Sequence, residues 1–255
     1  MDGNQFRKWL KHTNRNTLIM GILNVTPDSF SDGGKFIHLD KALSQAQYME
    51  KNGADIIDIG GESTRPGAIS VSVKEEINRT IPVIEEIRKF SNISISIDTY
   101  KSEVAEKALL AGADFINDIS GFTFDSRMME IVKKFDVPVV LMHIKGTPQD
   151  MQTNPTYIDV IKDLLEFFSF QINKALDFGI KKVQIIIDPG IGFGKQLNDN
   201  FILIRRLKEF SELGFPILIG PSRKSFIGLT LDSPPEYRLE GTLAAVSAGI
   251  LNGAS

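Results

Sequence analysis

The 255-residue sequence contains no cysteine, which excludes disulfides, thiolate catalysis and metal or iron–sulfur sites built on thiolates. It has only three histidines, His12, His38 and His143, and no HExxH-like pair, so we expect no histidine-rich metal site. The most apolar late segment, residues 242–251, is far too short to cross a bilayer, and the N-terminus lacks a signal-peptide core. A net charge of −3, with both signs mixed, argues against nucleic-acid binding. We therefore expect a cytoplasmic protein that binds neither membrane nor nucleic acid.

Apolar runs rich in isoleucine and valine alternate with longer amphipathic stretches. The runs predict seven strands, at residues 18–24, 55–60, 93–98, 114–119, 138–143, 183–188 and 216–220. The amphipathic stretches predict helices at residues 39–52, 73–90, 101–110, 128–135, 158–178, 198–213 and 239–251. Such alternation favours a parallel sheet, either a barrel or an open doubly wound sheet.

The length and the sheet edges favour the barrel over the open sheet. About 250 residues is typical of a (β/α)8 barrel, whereas an open sheet of seven strands leaves two edges unpaired. No linker of biased composition interrupts the chain, so we expect an α/β protein with one (β/α)8 TIM-barrel domain over residues 1–255. The eighth unit is missing from these residues. Either the natural chain is longer, or the barrel closes in an unusual way.

Polar side chains stand at or near the carboxyl ends of the predicted strands. They are Asn24, Asp58, Asp98, Asn117 with Asp118, His143 beside Met142, Asp188 and, after the seventh strand, Lys224. Each alone is weak evidence, because an aspartate that closes a strand commonly caps the next helix. In a barrel, however, these ends converge on the face that carries catalysis. Carboxylates, amides and a lysine together suit a planar heteroaromatic ligand with a guanidine-like edge.

The glycine-rich loop at residues 189–195, Pro-Gly-Ile-Gly-Phe-Gly-Lys, does not match the common nucleotide-binding motifs. Lys195 is followed by glutamine rather than serine or threonine, and the glycine spacing is not that of a dinucleotide fingerprint. We interpret the loop as a tight turn that brings backbone and Phe193 against a flat ligand. Arg65 and Arg223 lie in glycine- and serine-rich loops, where each could hold a phosphate or be an ordinary solvated arginine.

Six stretches resemble the dihydropteroate synthases, and they occur in order over most of the chain. The first is Met-Gly-Ile-Leu-Asn-Val-Thr-Pro-Asp-Ser-Phe-Ser-Asp-Gly-Gly at residues 20–34, and the others lie at residues 58–68, 96–100, 117–121, 188–194 and 220–226. The resemblance implies a (β/α)8 barrel, usually a homodimer. It also implies a transferase that joins 6-hydroxymethyl-7,8-dihydropterin pyrophosphate to p-aminobenzoate, giving dihydropteroate and pyrophosphate for folate synthesis.

The resemblance also implies which residues bind the pterin. Asp188 would bind the 2-amino and N3–H edge of the ring, Asp98 and Asn117 the remaining ring nitrogens, and Lys224 the O4/N5 side. The ring pocket would be lined by Ile119, Met142 and Phe193, with Gly220 also at the substrate. Arg223 would pair with Asp58 beside the site.

A second group of residues is implied for the diphosphate and for p-aminobenzoate. Asn24 would meet Mg²⁺ bound to the diphosphate, and Thr64 and Arg65 would contact the diphosphate itself. Phe30, Pro66 and Ser225 would shape the p-aminobenzoate pocket. The implied catalytic residues are therefore Asn24, Arg65 and Lys224. One departure is that the family carries an Arg-x-His motif on its eighth strand, which these 255 residues do not contain.

The rival interpretations are a catalytically silent pterin-binding relative and a corrinoid-linked, methyltetrahydrofolate-binding methyltransferase domain. Either would need Asp98, Asn117 and Asp188, but would have no use for Asn24, Arg65 and the loop at residues 28–34. All of these are present, so the sequence favours the synthase. The loops at residues 25–34 and 63–68 are rich in turn formers, and we expect them to be mobile until ligand binds.

Overall fold

The computed structural model describes residues 1–26 and 35–255, without the side chains of residues 35–38. One parallel sheet contains the strands β1 to β6, which are Met20–Asn24, Ile56–Gly60, Ser94–Asp98, Phe115–Asp118, Val139–Met142 and Ile185–Asp188. The helices α1 to α9 are Gly3–Lys11, Lys35–Lys51, Val73–Arg88, Ser102–Ala111, Met128–Phe135, Val160–Phe178, Leu197–Arg205, Ser225–Leu231 and Leu239–Leu251. In the described part of the chain, no helix has the length and apolarity needed to cross a membrane.

The strand order identifies the architecture as barrel-like rather than doubly wound. Neighbouring strands follow the chain order from β1 to β6, and every pair is parallel. A doubly wound sheet would instead reverse its strand order at a switch point. The predicted α/β class and parallel sheet are therefore confirmed.

The two faces of the sheet are buried against different partners. One face carries side chains such as Ile57, Ile97 and Leu141, which pack in the large core under the surrounding helices. The opposite face carries Ile56 of β2 and Ile186 of β6, which share a second core cluster. In a flat sheet those two strands would lie about 19 Å apart, because neighbouring strands are spaced at about 4.8 Å. The shared cluster therefore requires the sheet to curl around this inner face.

Helix α1 closes the amino-terminal end of the curled sheet, and the sequence prediction missed it. Phe6 and Leu10 are buried against Phe115 and the other inner-face residues of that second cluster. The helix begins with a capping box in which the Asp2 side chain accepts from the Gln5 backbone N–H and the Gln5 side chain accepts from that of Asp2. This Asp-x-x-Gln pattern was the available sequence signal for a helix start.

The seventh predicted strand is much shorter than expected. Ile187 forms a single parallel bridge with Ile217, through hydrogen bonds to Pro216 O and from Leu218 N, and this bridge extends the sheet beyond β6. Pro216 has no N–H to donate to a ladder, which limits the pairing. On its far side, Ile217 O accepts from Ser255 N. Within residues 1–26 and 35–255, no strand pairing joins this segment to β1.

The predicted helix at residues 198–213 was also wrong in extent. Helix α7 ends at Arg205, and a separate 3₁₀ helix, Leu207–Leu213, follows it. The structure adds α8, which begins at Ser225 directly after the last polar site candidate, Lys224. Both differences lie on the outer layer and leave the positions of the strand ends unchanged.

Candidate active site

The carboxylate of Asp58 lies at the centre of a hydrogen-bonded group on the inner face of the sheet. Asp58 Oδ1 accepts from Ser96 Oγ at 2.5 Å, and Oδ2 accepts from Asn117 Nδ2 at 2.9 Å. Strand register explains the contacts, because Asp58 pairs with Ser96 and every second residue of a strand points to the same face. Burial raises the pKa of Asp58, while the hydrogen bonds from Ser96 and Asn117 oppose that rise.

Asp98 lies one layer higher, at the carboxyl end of β3, next to Asn24. A β-carbon placed on the intervening Gly60 would lie 3.3 Å from Asp98 Oδ2 and 3.4 Å from Asn24 Oδ1, so glycine leaves room for both groups. Burial, followed by the nearby negative charge of Asp58, raises the pKa of Asp98 well above its usual value. Asp98 Oδ1 is buried and receives no hydrogen bond from the described residues.

Asp188 and Lys224 form the opposite side of the site. Asp188 ends β6 beside Met142 of β5, and its Oδ1 accepts from Gly190 N at 2.7 Å. The Lys224 ammonium donates to the Ile191 carbonyl and lies 4.3 Å from the centre of the Phe193 ring. Burial lowers the pKa of Lys224 to about 8, against the opposing effect of Asp188. Burial likewise raises the pKa of Asp188, and Lys224 opposes that rise.

The glycine loop between Asp188 and Lys195 follows a path that only glycine allows. Gly190 and Gly194 have φ angles of 68° and 63°. A β-carbon would lie 2.0 Å from the His143 carbonyl oxygen at Gly190 and 2.4 Å from the Lys145 carbonyl oxygen at Gly194. The loop therefore packs backbone against backbone along the segment that follows β5, as the sequence interpretation expected of a tight turn.

A buried ionic network behind the loop at residues 61–72 was missed by the sequence prediction. Lys101 Nζ donates to Glu62 and Glu76, at 2.6 Å in each case, and to the Val71 carbonyl at 2.7 Å. Glu62 also accepts from the Tyr100 hydroxyl at 2.7 Å. These contacts anchor both ends of the loop that carries Thr64, Arg65 and Pro66. The residues lie 25 to 39 positions apart, so no local pattern signalled the network.

Several candidate residues lie at the rim, outside the central hydrogen-bonded group. Arg65, Pro66 and Ser225 are exposed, Thr64 and Gly220 are half-buried, and Phe30 lies outside the described residues. The loop at residues 25–34 likewise falls mainly outside them. By contrast, Ile119 and Met142 are buried and Phe193 is half-buried beside Lys224.

One expectation is corrected. Arg223 does not pair with Asp58, because Arg223 is exposed and Asp58 is buried against Ser96 and Asn117. Asp118, which follows Asn117, caps the turn after β4. Its carboxylate accepts from the Ser120 and Phe122 backbone N–H groups, each at 2.8 Å. For this residue the ordinary capping role applies.

The residues present suit a magnesium ion that arrives with its substrate. In residues 1–26 and 35–255 no cluster of three or more acidic, histidine or cysteine side chains could hold a metal alone. Asn24 offers one neutral carbonyl oxygen at the mouth, beside Asp98. Magnesium takes oxygen ligands and keeps several waters, with substrate phosphates completing its shell, so the amide oxygen of Asn24 could supply one ligand to a phosphate-bound ion.

A curled parallel α/β sheet with these polar groups at its carboxyl edge defines a barrel enzyme that acts on a small polar molecule. A family model described as pterin binding enzyme matches residues 20–255. The chain is 53% identical over 241 residues to the dihydropteroate synthase of Synechocystis sp., an alignment that covers 94% of this chain and 83% of that relative.

Solved structures agree with the sequence relatives. The dihydropteroate synthase from Clostridium difficile, crystallised in the presence of pteroic acid, has a TM-score of 0.88 and 48% identity, covering 93% of this chain and 88% of that one. The Xanthomonas albilineans dihydropteroate synthase with 4-aminobenzoic acid has a TM-score of 0.88 and 44% identity, covering 94% and 85%. The chain belongs to the pterin binding enzyme family and, within it, to the dihydropteroate synthases.

Proposed function

We propose that the chain binds 6-hydroxymethyl-7,8-dihydropterin pyrophosphate on the inner face of its barrel and transfers the pterin to p-aminobenzoate, releasing pyrophosphate. The observation that carries the proposed site is Asp98 Oδ1, a buried oxygen for which the described residues offer no donor. A buried acceptor without a partner costs about 1–3 kcal/mol. A ring N–H of the pterin supplies the missing donor.

The remaining ring contacts follow from the positions of the polar groups. Asp188 receives the 2-amino and N3–H groups, and its carboxylate already lies at the end of β6 with Lys224 nearby. Asn117 binds a ring nitrogen while its Nδ2 stays with Asp58. Lys224 donates to the O4/N5 side. Ile119, Met142 and Phe193 enclose the ring, with Gly220 beside the Lys224 ammonium.

The diphosphate lies toward the β1 and β2 ends of the strands in this proposal. Asn24 would hold a Mg²⁺ ion bound to the diphosphate, and the ion would supply positive charge that neutralises the leaving group. Thr64 and Arg65 contact the diphosphate from the loop at residues 61–72. Pro66 and Ser225, with Phe30 from outside the described residues, shape the p-aminobenzoate pocket at the rim.

The reaction in this proposal is a dissociative substitution. The C–O bond to the diphosphate breaks first, because the electron-rich pterin ring stabilises the resulting cation, and the neutral arylamine then attacks it. The protein holds the ring, withdraws charge through Arg65 and excludes water. A neutral amine that attacks a cation needs no strong base, and the acidic arylammonium formed by the new C–N bond then loses its proton to water. His143, beside the site, is buried, with its Nδ1 3.0 Å from Lys195 Nζ, and burial lowers its pKa.

Pyrophosphate release tests the activity directly, on mixing both substrates with Mg²⁺ and the protein. A catalytically silent pterin-binding relative would bind the pterin in calorimetry and release nothing. Positional isotope exchange of the bridging oxygen, without p-aminobenzoate, tests the order of bond changes. Exchange supports early C–O cleavage, and its absence with closed loops favours a concerted displacement.

The cytoplasm as location and a homodimer as assembly are also part of this proposal. Apolar side chains remain exposed on α8 and α9, among them Leu229, Leu243 and Leu251. Such an apolar surface is typical of a contact between protein chains.

A further inference from the structure

Lys195, the last residue of the glycine loop, is almost completely buried, with 2% of its surface exposed. Its Nζ lies 3.0 Å from His143 Nδ1, 3.0 Å from the His143 carbonyl oxygen and 2.8 Å from the Phe193 carbonyl oxygen. Lysines are seldom fully buried unless they are paired, so this arrangement calls for a physical reason. None of the roles assigned so far uses Lys195.

Two of the three partners of Lys195 Nζ, the carbonyl oxygens of His143 and Phe193, can only accept hydrogen bonds. The third, His143 Nδ1, can accept or donate, because its role depends on the tautomer of the ring. An ammonium would donate to all three partners, with His143 neutral, Nδ1 as acceptor and the proton on Nε2. Asp188 favours this charged form, whereas burial opposes it and lowers the pKa of Lys195 well below its usual value.

The same contacts connect two segments that line the pterin pocket. His143 directly follows Met142 on β5, and Phe193 lies in the glycine loop after β6. The Lys195 ammonium holds these two segments together beside the point where Gly190 approaches the His143 carbonyl oxygen. Asp188 is held in the same unit, because its backbone carbonyl accepts from His143 N at 3.0 Å.

We propose that Lys195 is a positioning residue for the pterin pocket: its buried ammonium joins His143 to the glycine loop, and thereby sets Phe193 and Asp188 for the ring. This proposal rests on the pterin site proposed above. Lys195 does not touch the substrate. Its charge also lies near Asp188, together with Lys224, Lys145 and Asp199, and favours the ionised form of the Asp188 carboxylate.

Calorimetry with 6-hydroxymethyl-7,8-dihydropterin pyrophosphate, without p-aminobenzoate, tests the proposal on Lys195→Met. We expect pterin affinity to fall about tenfold or more, because the buried carbonyl oxygens of His143 and Phe193 lose their donor and the His143 ring loses its partner. We also expect the KM for p-aminobenzoate to change much less. Ile87→Ala is the control for lost stability, since Ile87 on α3 is buried in the large core under the surrounding helices. That variant should unfold more easily but bind pterin as the wild type does.

Chemical rescue separates the effect of the Lys195 charge from the effect of its packing. The natural sequence has no cysteine, so an introduced thiol is modified selectively. Lys195→Cys carries a single thiol, which is alkylated in the unfolded chain with 2-bromoethylamine or with 1-iodopropane before refolding. The two adducts have the same length and differ in a terminal ammonium or methyl group. We expect the ammonium adduct to regain pterin affinity and the propyl adduct to stay weak.

Two further measurements complete the test, one by NMR and one of the pH dependence of binding. Nitrogen NMR of the His143 ring should show the Nε2–H form in the wild type and a changed Nδ1 shift in Lys195→Met. Pterin affinity in that variant should decline at a higher pH than in the wild type as the solution is acidified, because Asp188 loses a nearby positive charge.

Three results would overturn the proposal: equal pterin affinity of wild type and Lys195→Met, equal rescue by both adducts, or failure of both Lys195→Met and Lys195→Gln to fold. The last result would assign Lys195 to global stability. Asp188→Asn, measured in parallel, separates this inference from the proposed site. If Asp188→Asn binds pterin normally, the site itself is wrong. If only Lys195→Met binds normally, the positioning role alone fails.

Discussion

At the scale of single residues, Asp58 and Asp98 lie on neighbouring strands but differ in their hydrogen bonding. Asp58 accepts from Ser96 and Asn117, so its carboxylate is satisfied within the protein. Asp98 keeps one buried oxygen that no described residue satisfies. Burial raises the pKa of both carboxyl groups; hydrogen bonds oppose the rise at Asp58, whereas the negative charge of Asp58 adds to the rise at Asp98. We infer that Asp58 holds the site in shape, whereas Asp98 meets the ligand.

Asp188→Asn tests recognition of the ring edge. The substitution keeps the size of the side chain but places an amide donor against ring N–H groups. A mispaired buried contact costs about 1–3 kcal/mol, so pterin affinity should fall about tenfold or more. Calorimetry measures the affinity, and circular dichroism checks that the fold is intact. Unchanged affinity would refute the role of Asp188.

The pH dependence of pterin binding should reveal Lys224, whose pKa is about 8 in the free protein. Only the ammonium form donates fully to the O4/N5 side of the ring. Affinity should therefore be nearly constant below pH 8 on this account and fall as the pH rises through that value. Lys224→Met, measured over the same pH range, should bind weakly and lose the decline. A decline that persists in this variant would assign it to another group.

Arg65→Ala should lower the rate far more than pterin affinity. In the proposed mechanism Arg65 meets negative charge that grows on the leaving diphosphate in the transition state. Loss of one such contact typically costs about 2.7–4 kcal/mol, or about 10² to 10³ in rate. Steady-state kinetics and calorimetry measure the two effects separately. An equal loss in both would mean that Arg65 only binds the ground state.

The positions of the central candidate residues could be predicted because they lie in or just after apolar runs, and parallel strands bring their ends together. The partners of those residues could not. Asp58 receives its hydrogen bonds from residues 38 and 59 positions away, and Arg223 was wrongly assigned to it. In the sequence, Lys195 stands out only as the end of a loop that does not match a nucleotide-binding motif, and its contact with His143 spans 52 positions. Pairings of this kind depend on register and strand curvature.

At the scale of elements, the loops around the site differ in how firmly they are held. The glycine loop is fixed by contacts to the segment after β5, including Tyr157 to Gly194 O and Gln152 to Gly192 O, both at 2.7 Å. The tip of the loop at residues 61–72 is held more lightly. Gly67 N donates to Pro148 O at 2.9 Å, while Arg65 and Pro66 are exposed.

Residues 63–68 should therefore become protected from hydrogen exchange only when ligands bind. Ile69 and neighbouring residues contribute little buried apolar surface, so local opening costs little free energy. Bound diphosphate would add contacts to Thr64 and Arg65. Hydrogen exchange with and without pterin and p-aminobenzoate measures the change, and residues of β3 provide an internal reference. Full protection of the loop in the free protein would contradict this expectation.

Strands and long helices were predictable to within a few residues, since buried parallel strands read as continuous apolar runs. Helix α5 and the C-terminal helix α9 match their predicted bounds. The misses have physical causes. Helix α1 packs against the base of the barrel with few apolar residues, and the strand at 216–220 lacks a full partner ladder.

At the scale of the whole molecule, the barrel separates stability from chemistry. Its base is filled by apolar side chains such as Phe115 and closed by α1, whereas the polar groups lie toward the carboxyl ends of the same strands. Every second residue of each strand points to the inner face, so this one face carries both the apolar base and the polar groups. Substitutions at the base therefore act on folding, and those at the mouth act on binding.

The proposed homodimer is the last prediction, and it concerns the outer surface of α8 and α9. Leu229, Leu243 and Leu251 are 70%, 57% and 86% exposed. Burial of each such side chain contributes about 1.5–3 kcal/mol, so association with a second copy that covers them is favourable.

Sedimentation velocity at micromolar concentration should show a dimer for the wild type. Leu243→Lys combined with Leu251→Lys should shift the protein to a monomer while pterin binding persists, because neither residue is part of the proposed site. Tyr48→Lys, on the exposed face of α2, is the matched control and should remain dimeric. A monomeric wild type, or a dimer unaffected by the double substitution, would exclude this surface as the contact.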